Sequence, residues 1–157
     1  MNIAYYHSPI GTIVLTANEK GLLTCTFTDE RIHTTSLTLS PLLSKTLSQL
    51  DAYFQGQCQH FSLPLHPQGT SFHQKVWTYL LSIPFGTTAS YSEVAQAIDH
   101  PKAARAVGQA NHCNPIAIII PCHRVIGKQG NLVGYGEGLW RKQWLLRHES
   151  TYLNYSS

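Results

Sequence analysis

A small α/β unit followed by a mainly helical unit, an α+β chain overall, is the fold class that three observations predict. Apolar residues alternate between turn signals near the N-terminus. Helical spacing dominates from Ser71 onward. A stretch punctuated by Pro64, Pro67 and Gly69 separates the two regimes. The boundary divides the chain into residues 1–66, an N-terminal α/β domain, and 67–157, a C-terminal domain with a helix-turn-helix. With 157 residues, 43% of them hydrophobic, the chain can bury a core without disulfide or metal staples.

The first unit reads as an antiparallel meander. Ile3 to Tyr6 and Gly11 to Ala17 are strand-like, with Ser8-Pro9 and Gly11 turning the chain between them. Asn18-Glu19-Lys20-Gly21 turns it again, and Leu22 to Thr28 continues with Leu23, Cys25 and Phe27 alternating. Ser40 caps a helix with Pro41 at its first position; Leu43, Leu47, Leu50 and Phe54 form its apolar stripe, and Gly56 ends it. Phe61 to Leu65 is a short strand candidate.

In the second unit Ser71 and Gln74 suggest a capping box, followed by Phe72, Val76 and Leu80 on one helix face. Pro84-Phe85-Gly86 breaks that helix. Ser90 and Glu93 form another capping box, with Val94 to Ile98 behind it. Asp99-His100-Pro101 turns the chain, and Lys102 to His112 resumes as a helix of small residues, giving a helix-turn-helix candidate. Asn114-Pro115 breaks it. Ile116 to Ile120 is a buried apolar run that leads into Pro121-Cys122-His123-Arg124. A glycine-rich loop, Gly127 to Gly138, precedes a last helix from Leu139 to Glu149, and the tail after Ser150 is expected to be loosely held.

The longest apolar run, Ile116 to Ile120, has five residues, too few to span a bilayer, and the N-terminus lacks a secretory signal. A cytoplasmic, non-membrane protein is expected, with its four cysteines reduced. Charge is uneven: residues 1–66 hold three basic against four acidic residues, residues 67–157 eight against four. The basic half suits an anionic partner such as nucleic acid, although a solvated surface carries such charge equally well.

Cys122 is the sharpest chemical feature. A thiol beside His123 and Arg124 can be held partly as nucleophilic thiolate; a buried inert cysteine is the other reading. Adjacency does not ensure contact, so His123 would reach the sulfur through a water or a turn. His112-Cys113 and Cys122-His123 form a mirrored pair, but adjacent residues chelate zinc poorly. Arg105 stands among small residues on the second helix of the helix-turn-helix. It reads either as a surface arginine or as a side chain that reaches into a duplex. Tyr91 lies just inside the capped first helix.

The segment from Ile118 to Gly127 resembles the active-site signature of the O6-alkylguanine-DNA alkyltransferases, or methylated-DNA–protein-cysteine methyltransferases. The likeness extends through Arg105-Ala106-Val107-Gly108, Asn114-Pro115, Ser90-Tyr91, Gly134-Tyr135 and the Leu145-Leu146 to Glu149 ending. It reaches, more weakly, Ser8-Pro9-Ile10-Gly11. It implies DNA repair by direct reversal. An alkyl group on guanine O6, and on thymine O4, moves irreversibly to Cys122, once per molecule.

By this resemblance Glu149 orients His123, which takes the Cys122 proton through a water. Tyr91 assists departure of the purine, and Asn114 pins the turn before Cys122. Val125, Tyr135 and Gly136 line the base pocket. The helix-turn-helix enters the minor groove, with Arg105 replacing a flipped base and Lys102, Ala106, Gly108, Arg124 and Lys128 facing DNA. The partner is double-stranded DNA containing O6-alkylguanine, bound by a monomer without cofactor. No metal is expected, since Cys25, Cys58, His7 and His33 do not reproduce the zinc set of some relatives. Glu137 stands where relatives often carry small residues, and would either oppose DNA or point away. No regulatory module precedes Met1, so a combined repair and activator form is not expected. The alternative is a non-catalytic alkyltransferase-like binder of damaged DNA, which Cys122 argues against.

Overall fold

A computed structural model describes residues 2–30, 38–130 and 134–153 of the chain. Strands β1 (Asn2–Ser8), β2 (Gly11–Asn18) and β3 (Gly21–Thr28) form an antiparallel meander in that order. The first turn is set by Ser8, whose hydroxyl donates to the Gly11 carbonyl and accepts from the Ile10 amide, with Gly11 at φ +124°. The second is an Asx turn: Asn18 Oδ1 accepts from the amides of Lys20 and Gly21. A bulge opposite Thr16/Ala17 shifts the alternation expected for β3. Leu22 and Cys25 turn inward, while Leu23 and Phe27 are only half-buried.

Helix α1 (Pro41–Phe54) starts as expected, with Ser40 Oγ accepting from the Leu43 amide, and lays Leu43, Leu50, Tyr53 and Phe54 on the sheet. Phe61 to Leu65 is not a strand. It makes one parallel bridge, Leu22 to Leu65, because Pro64 has no amide to continue the ladder.

Helix α2 (Ser71–Leu80) is capped by Thr70, not Ser71: the Thr70 hydroxyl accepts from the His73 amide, so Ser71 is the first helical residue. Strand β4 (Ala89–Ser90) runs into α3 (Tyr91–Ala97), whose Ser90–Glu93 capping box is complete. Helix α4 (Ala104–His112) begins two residues after Lys102, because the turn that bonds Ala103 to the His100 carbonyl occupies the start. Cys122–Arg124 forms one 3-10 turn, β5 (Val125–Ile126) pairs parallel with β4, and α5 (Leu139–Tyr152) closes the fold. Helix α5 runs past Ser150. Tyr152 packs on His148, and its carbonyl accepts from Gln59, so the chain is docked at least to there.

One apolar core passes through both units. The segment before the cysteine adds to the free edge of β3: the Cys25 amide donates to Pro115, and the Ala117 amide donates to Cys25. Among the described residues no helix is long and apolar enough to cross a membrane.

Candidate active site

Two tight turns deliver Cys122. The Ile119 amide bonds to the Ala117 carbonyl around Ile118 at φ +72°, and the Cys122 amide bonds to the Ile120 carbonyl around Pro121 at φ −80°, ψ 65°. Both are γ-turns. A β-branched residue at positive φ costs about 1–3 kcal/mol and persists only where its surroundings enforce it. Asn114 supplies that enforcement. Its Nδ2 donates to the Ile120 carbonyl at 2.8 Å, and its Oδ1 accepts from the Ile116 amide at 3.0 Å, bracketing the whole turn. Asn111, which the sequence did not single out, donates to the Cys122 carbonyl at 3.1 Å from the buried face of α4.

The thiol is not stored as thiolate. Burial pushes the Cys122 pKa up to about 11; a hydrogen bond from Asn114 and the charge of Lys142 pull it down, while Glu137 pushes it up. The expected help from an adjacent His123 and Arg124 is replaced by these more distant groups. Lys142 is the second residue the sequence missed. It is fully buried on α5, with Nζ 3.3 Å from the Gly134 carbonyl and 5.9 Å from the Tyr91 ring centre. Burial lowers its pKa to about 8, against the raising effect of Cys122.

His123 is fully buried and its Nε2 lies 2.7 Å from Glu149 Oε2. Its Nδ1 is buried and carries no hydrogen bond among the described residues. Burial alone would raise the Glu149 pKa, but His123 and the hydrogen bonds from Arg124 hold it well below the usual carboxylate range. Arg124 is corrected: it is 6% exposed, and it donates through Nε to Glu149 Oε1, through Nη2 to Oε2 and through Nη1 to the Ile83 carbonyl. Its guanidinium is committed to the interior and does not face DNA.

Tyr91, Gly108, Gln109, Asn111, His112, Gly134, Tyr135 and Gly136 line a cavity of about 380 Å³. Two buried polar atoms on its lining residues, Asn111 Oδ1 and the Tyr135 hydroxyl, have no partner among the described residues. Burial, then the charge of Cys122, raises the Tyr91 pKa, so its hydroxyl stays protonated as a donor. Gly108 lies on the wall, where a Cβ would meet the Tyr91 ring at 3.8 Å, an ordinary packing distance. Val125 is fully buried in β5, and neither it nor Cys122 is among the residues that line this cavity.

Arg105 and Ala106 are exposed on α4, opposite buried Val107, Ala110 and Asn111; Lys102 and Lys128 are exposed in flanking turns. Glu137 turns inward. It is half-buried, which raises its pKa, and it accepts a hydrogen bond from the Phe27 amide. Among the described residues no three His, Cys, Asp or Glu side chains are grouped to hold a metal; His33 lies outside them.

Two family models match the chain. One describes the ribonuclease-like domain of 6-O-methylguanine DNA methyltransferase, over residues 1–67; the other describes its DNA-binding domain, over residues 71–151. The methylated-DNA–protein-cysteine methyltransferase of Methanosarcina acetivorans is 43% identical over 155 residues, covering 96% of this chain and 99% of its own. That of Mycobacterium tuberculosis is 47% identical over 150 residues, covering 92% and 89%. The crystal structure of Mycobacterium tuberculosis OGT in complex with DNA superimposes with a TM-score of 0.88 at 43% identity, covering 97% of this chain and 94% of that one.

Proposed function

The chain belongs to the 6-O-methylguanine DNA methyltransferase family, and from that premise we propose how its residues carry out the reaction. It is a methylated-DNA–protein-cysteine methyltransferase that repairs DNA by moving an alkyl group to a cysteine. Cys122 is the acceptor. The observation that carries this is the buried Cys122, whose carbonyl accepts a hydrogen bond from Asn111 of the cavity lining and whose neighbour His123 pairs with Glu149.

The substrate is O6-alkylguanine in duplex DNA, and O4-alkylthymine by the same chemistry. The target atom is inaccessible within the stack, so the base leaves it and enters the cavity. Helix α4 approaches the minor groove with Arg105 and Ala106 foremost. Arg105 fills the space of the extruded base, and Lys102 and Lys128 add salt-dependent phosphate contacts. Residues 67–157 thus bind DNA and carry the acceptor, while residues 1–66 support them. The protein acts as a monomer in the cytoplasm.

The thiol proton passes through a bridging water to His123 Nδ1, and Glu149 stabilises the imidazolium from the Nε2 side. The thiolate sulfur attacks the alkyl carbon, an S–C bond forms and the C–O6 bond breaks. The Tyr91 hydroxyl donates toward N3 as charge develops on the purine, and the thiol proton ends on the restored guanine. The thioether is not reversed, so each molecule acts once.

The test is intact-mass spectrometry after incubation with a duplex containing O6-methylguanine. The expected result is a single gain of one CH₂ unit on Cys122, absent in Cys122→Ser. Binding to the damaged duplex without any adduct would leave a recognition protein and overturn this reading.

A further inference from the structure

Glu149 is not held by the C-terminal unit alone. Its Oε2 accepts a hydrogen bond of 2.7 Å from the hydroxyl of Tyr53, which lies 96 residues upstream in the last turn of α1. Both residues are fully buried. The Tyr53 carbonyl also accepts from His148 Nε2 at 2.7 Å, so one residue grips two consecutive residues of α5. Burial, reinforced by the Glu149 charge, pushes the Tyr53 pKa well up, and the hydroxyl is always the donor.

Three donors converge on Oε2: Tyr53 at 2.7 Å, His123 Nε2 at 2.7 Å and Arg124 Nη2 at 3.0 Å. Oε1 takes Arg124 Nε at 2.8 Å and the Gly86 amide at 3.2 Å. Arg124 spans both carboxylate oxygens, and Gly86 holds Oε1. Tyr53 reaches Oε2, the oxygen that faces His123.

We propose that Tyr53 is a positioning residue for alkyl transfer, through which the N-terminal unit orients Glu149 and shares its charge with His123. This rests on the relay reading above. Removing the hydroxyl leaves Oε2 looser and concentrates its charge on His123. The imidazole then loses the fixed partner that holds it in place, and Nδ1 is aimed less firmly at the thiol proton.

The experiment measures single-turnover transfer to an O6-methylguanine duplex against pH, for the wild type, Tyr53→Phe, Glu149→Gln and the double variant, all full-length. The expected result for Tyr53→Phe is transfer slower by about threefold to tenfold at neutral pH, with a pH profile displaced from that of the wild type. In the Glu149→Gln background, Tyr53→Phe should change nothing further. Phe61→Leu, which removes a ring contact to Tyr53 (centres 5.6 Å apart) without touching Glu149, should lower the melting temperature and leave the pH profile in place.

A wild-type profile in Tyr53→Phe, with Glu149→Gln impaired, overturns the proposal alone. Losses that multiply in the double variant also overturn it, because Tyr53 would then act apart from Glu149. Wild-type transfer by Glu149→Gln overturns the relay itself. If Tyr53→Phe folds poorly, the NMR resonance of the His123 Nε2 proton in the folded fraction decides: a shift supports the proposal and an unmoved resonance refutes it.

Discussion

Replacing Lys142 with methionine should stabilise the protein and slow its chemistry. The ammonium is fully buried, and burial brings its pKa from 10.5 to about 8. At about 1.4 kcal/mol per unit, keeping that charge at neutral pH costs the native state at most about 3 kcal/mol. The lost hydrogen bond to the Gly134 carbonyl takes back about half, leaving a gain of about 1–2 kcal/mol. For a chain of this size that is a rise of about 2–8 °C in Tm. The pH dependence has a definite sign. Between about 8 and 10.5 native Lys142 loses its proton while the unfolded chain keeps it, so the unfolded state binds more protons and wild-type stability climbs with pH. Lys142→Met should lack that climb, and the two melting curves should converge above this window. At neutral pH the variant also loses the cation that lowers the Cys122 pKa, and transfer should slow. Calorimetry at neutral and alkaline pH, with a single-turnover assay, measures both effects. A variant less stable than wild type at neutral pH, or a stability difference independent of pH, would refute the reasoning.

Asn114→Ala removes the bracket across the strained Ile118 turn and the hydrogen bond that lowers the thiol pKa. It should cost about 2–4 kcal/mol in chemical denaturation and raise the thiol above its pKa of about 11 in a thiolate-absorbance titration. S-methylation of Cys122, which is 5% exposed, overpacks a filled site and should lower stability by about 1–3 kcal/mol. Identical denaturation midpoints before and after repair would contradict this. Arg105→Ala changes an exposed side chain, so stability should stay within about 0.5 kcal/mol. Transfer from duplex DNA should fall while transfer from a free O6-alkylguanine base is spared. In the free protein a small water-soluble alkylating reagent should label exposed Cys113 before buried Cys122, as peptide mapping would show; the damaged duplex should reverse that order.

Local chemistry made much of the fold legible. Turn residues at Gly11 and Asn18, the Ser40-Pro41 start and the Ser90–Glu93 box each satisfy backbone groups within a few residues, and each stands where the sequence predicts. What escaped the sequence depends on distant partners. Arg124 reads as a surface cation because its carboxylate lies 25 residues away on another helix. Lys142 is only one of eight basic residues in the second unit, because nothing near it in sequence reveals its burial against the Gly134 carbonyl and the Tyr91 ring. Tyr53 stands outside the stripe of Leu43, Leu47, Leu50 and Phe54 and goes unmarked, because its hydroxyl answers to Glu149, 96 residues away. The Thr70/Ser71 choice was narrower. Two adjacent hydroxyl residues both fit a cap, and the backbone extends at Thr70, with φ −67° and ψ 167°.

The storage of Cys122 as a neutral thiol bears on how a protein that acts once can be both patient and reactive. With a pKa of about 11, ionising the thiol at neutral pH costs about 5 kcal/mol. That cost guards the sulfur against oxidants and stray electrophiles, which attack the thiolate. The guard must be lifted only when the damaged base is in place, and the site holds the means. On the function proposed, a base filling the cavity between α4 and the 134–136 loop covers Tyr91, beside the already buried Lys142 and His123–Glu149 pair. Charges already fixed there then act at full strength on the thiolate as it forms, with no reorganisation left to make. Lys142 is partly neutral near its pKa of about 8, and a thiolate forming nearby would raise that value and bring it to full charge. The burial that makes Cys122 inert at rest therefore strengthens every group that activates it. An exposed, permanently ionised cysteine would be faster at first contact and spent before it met its lesion.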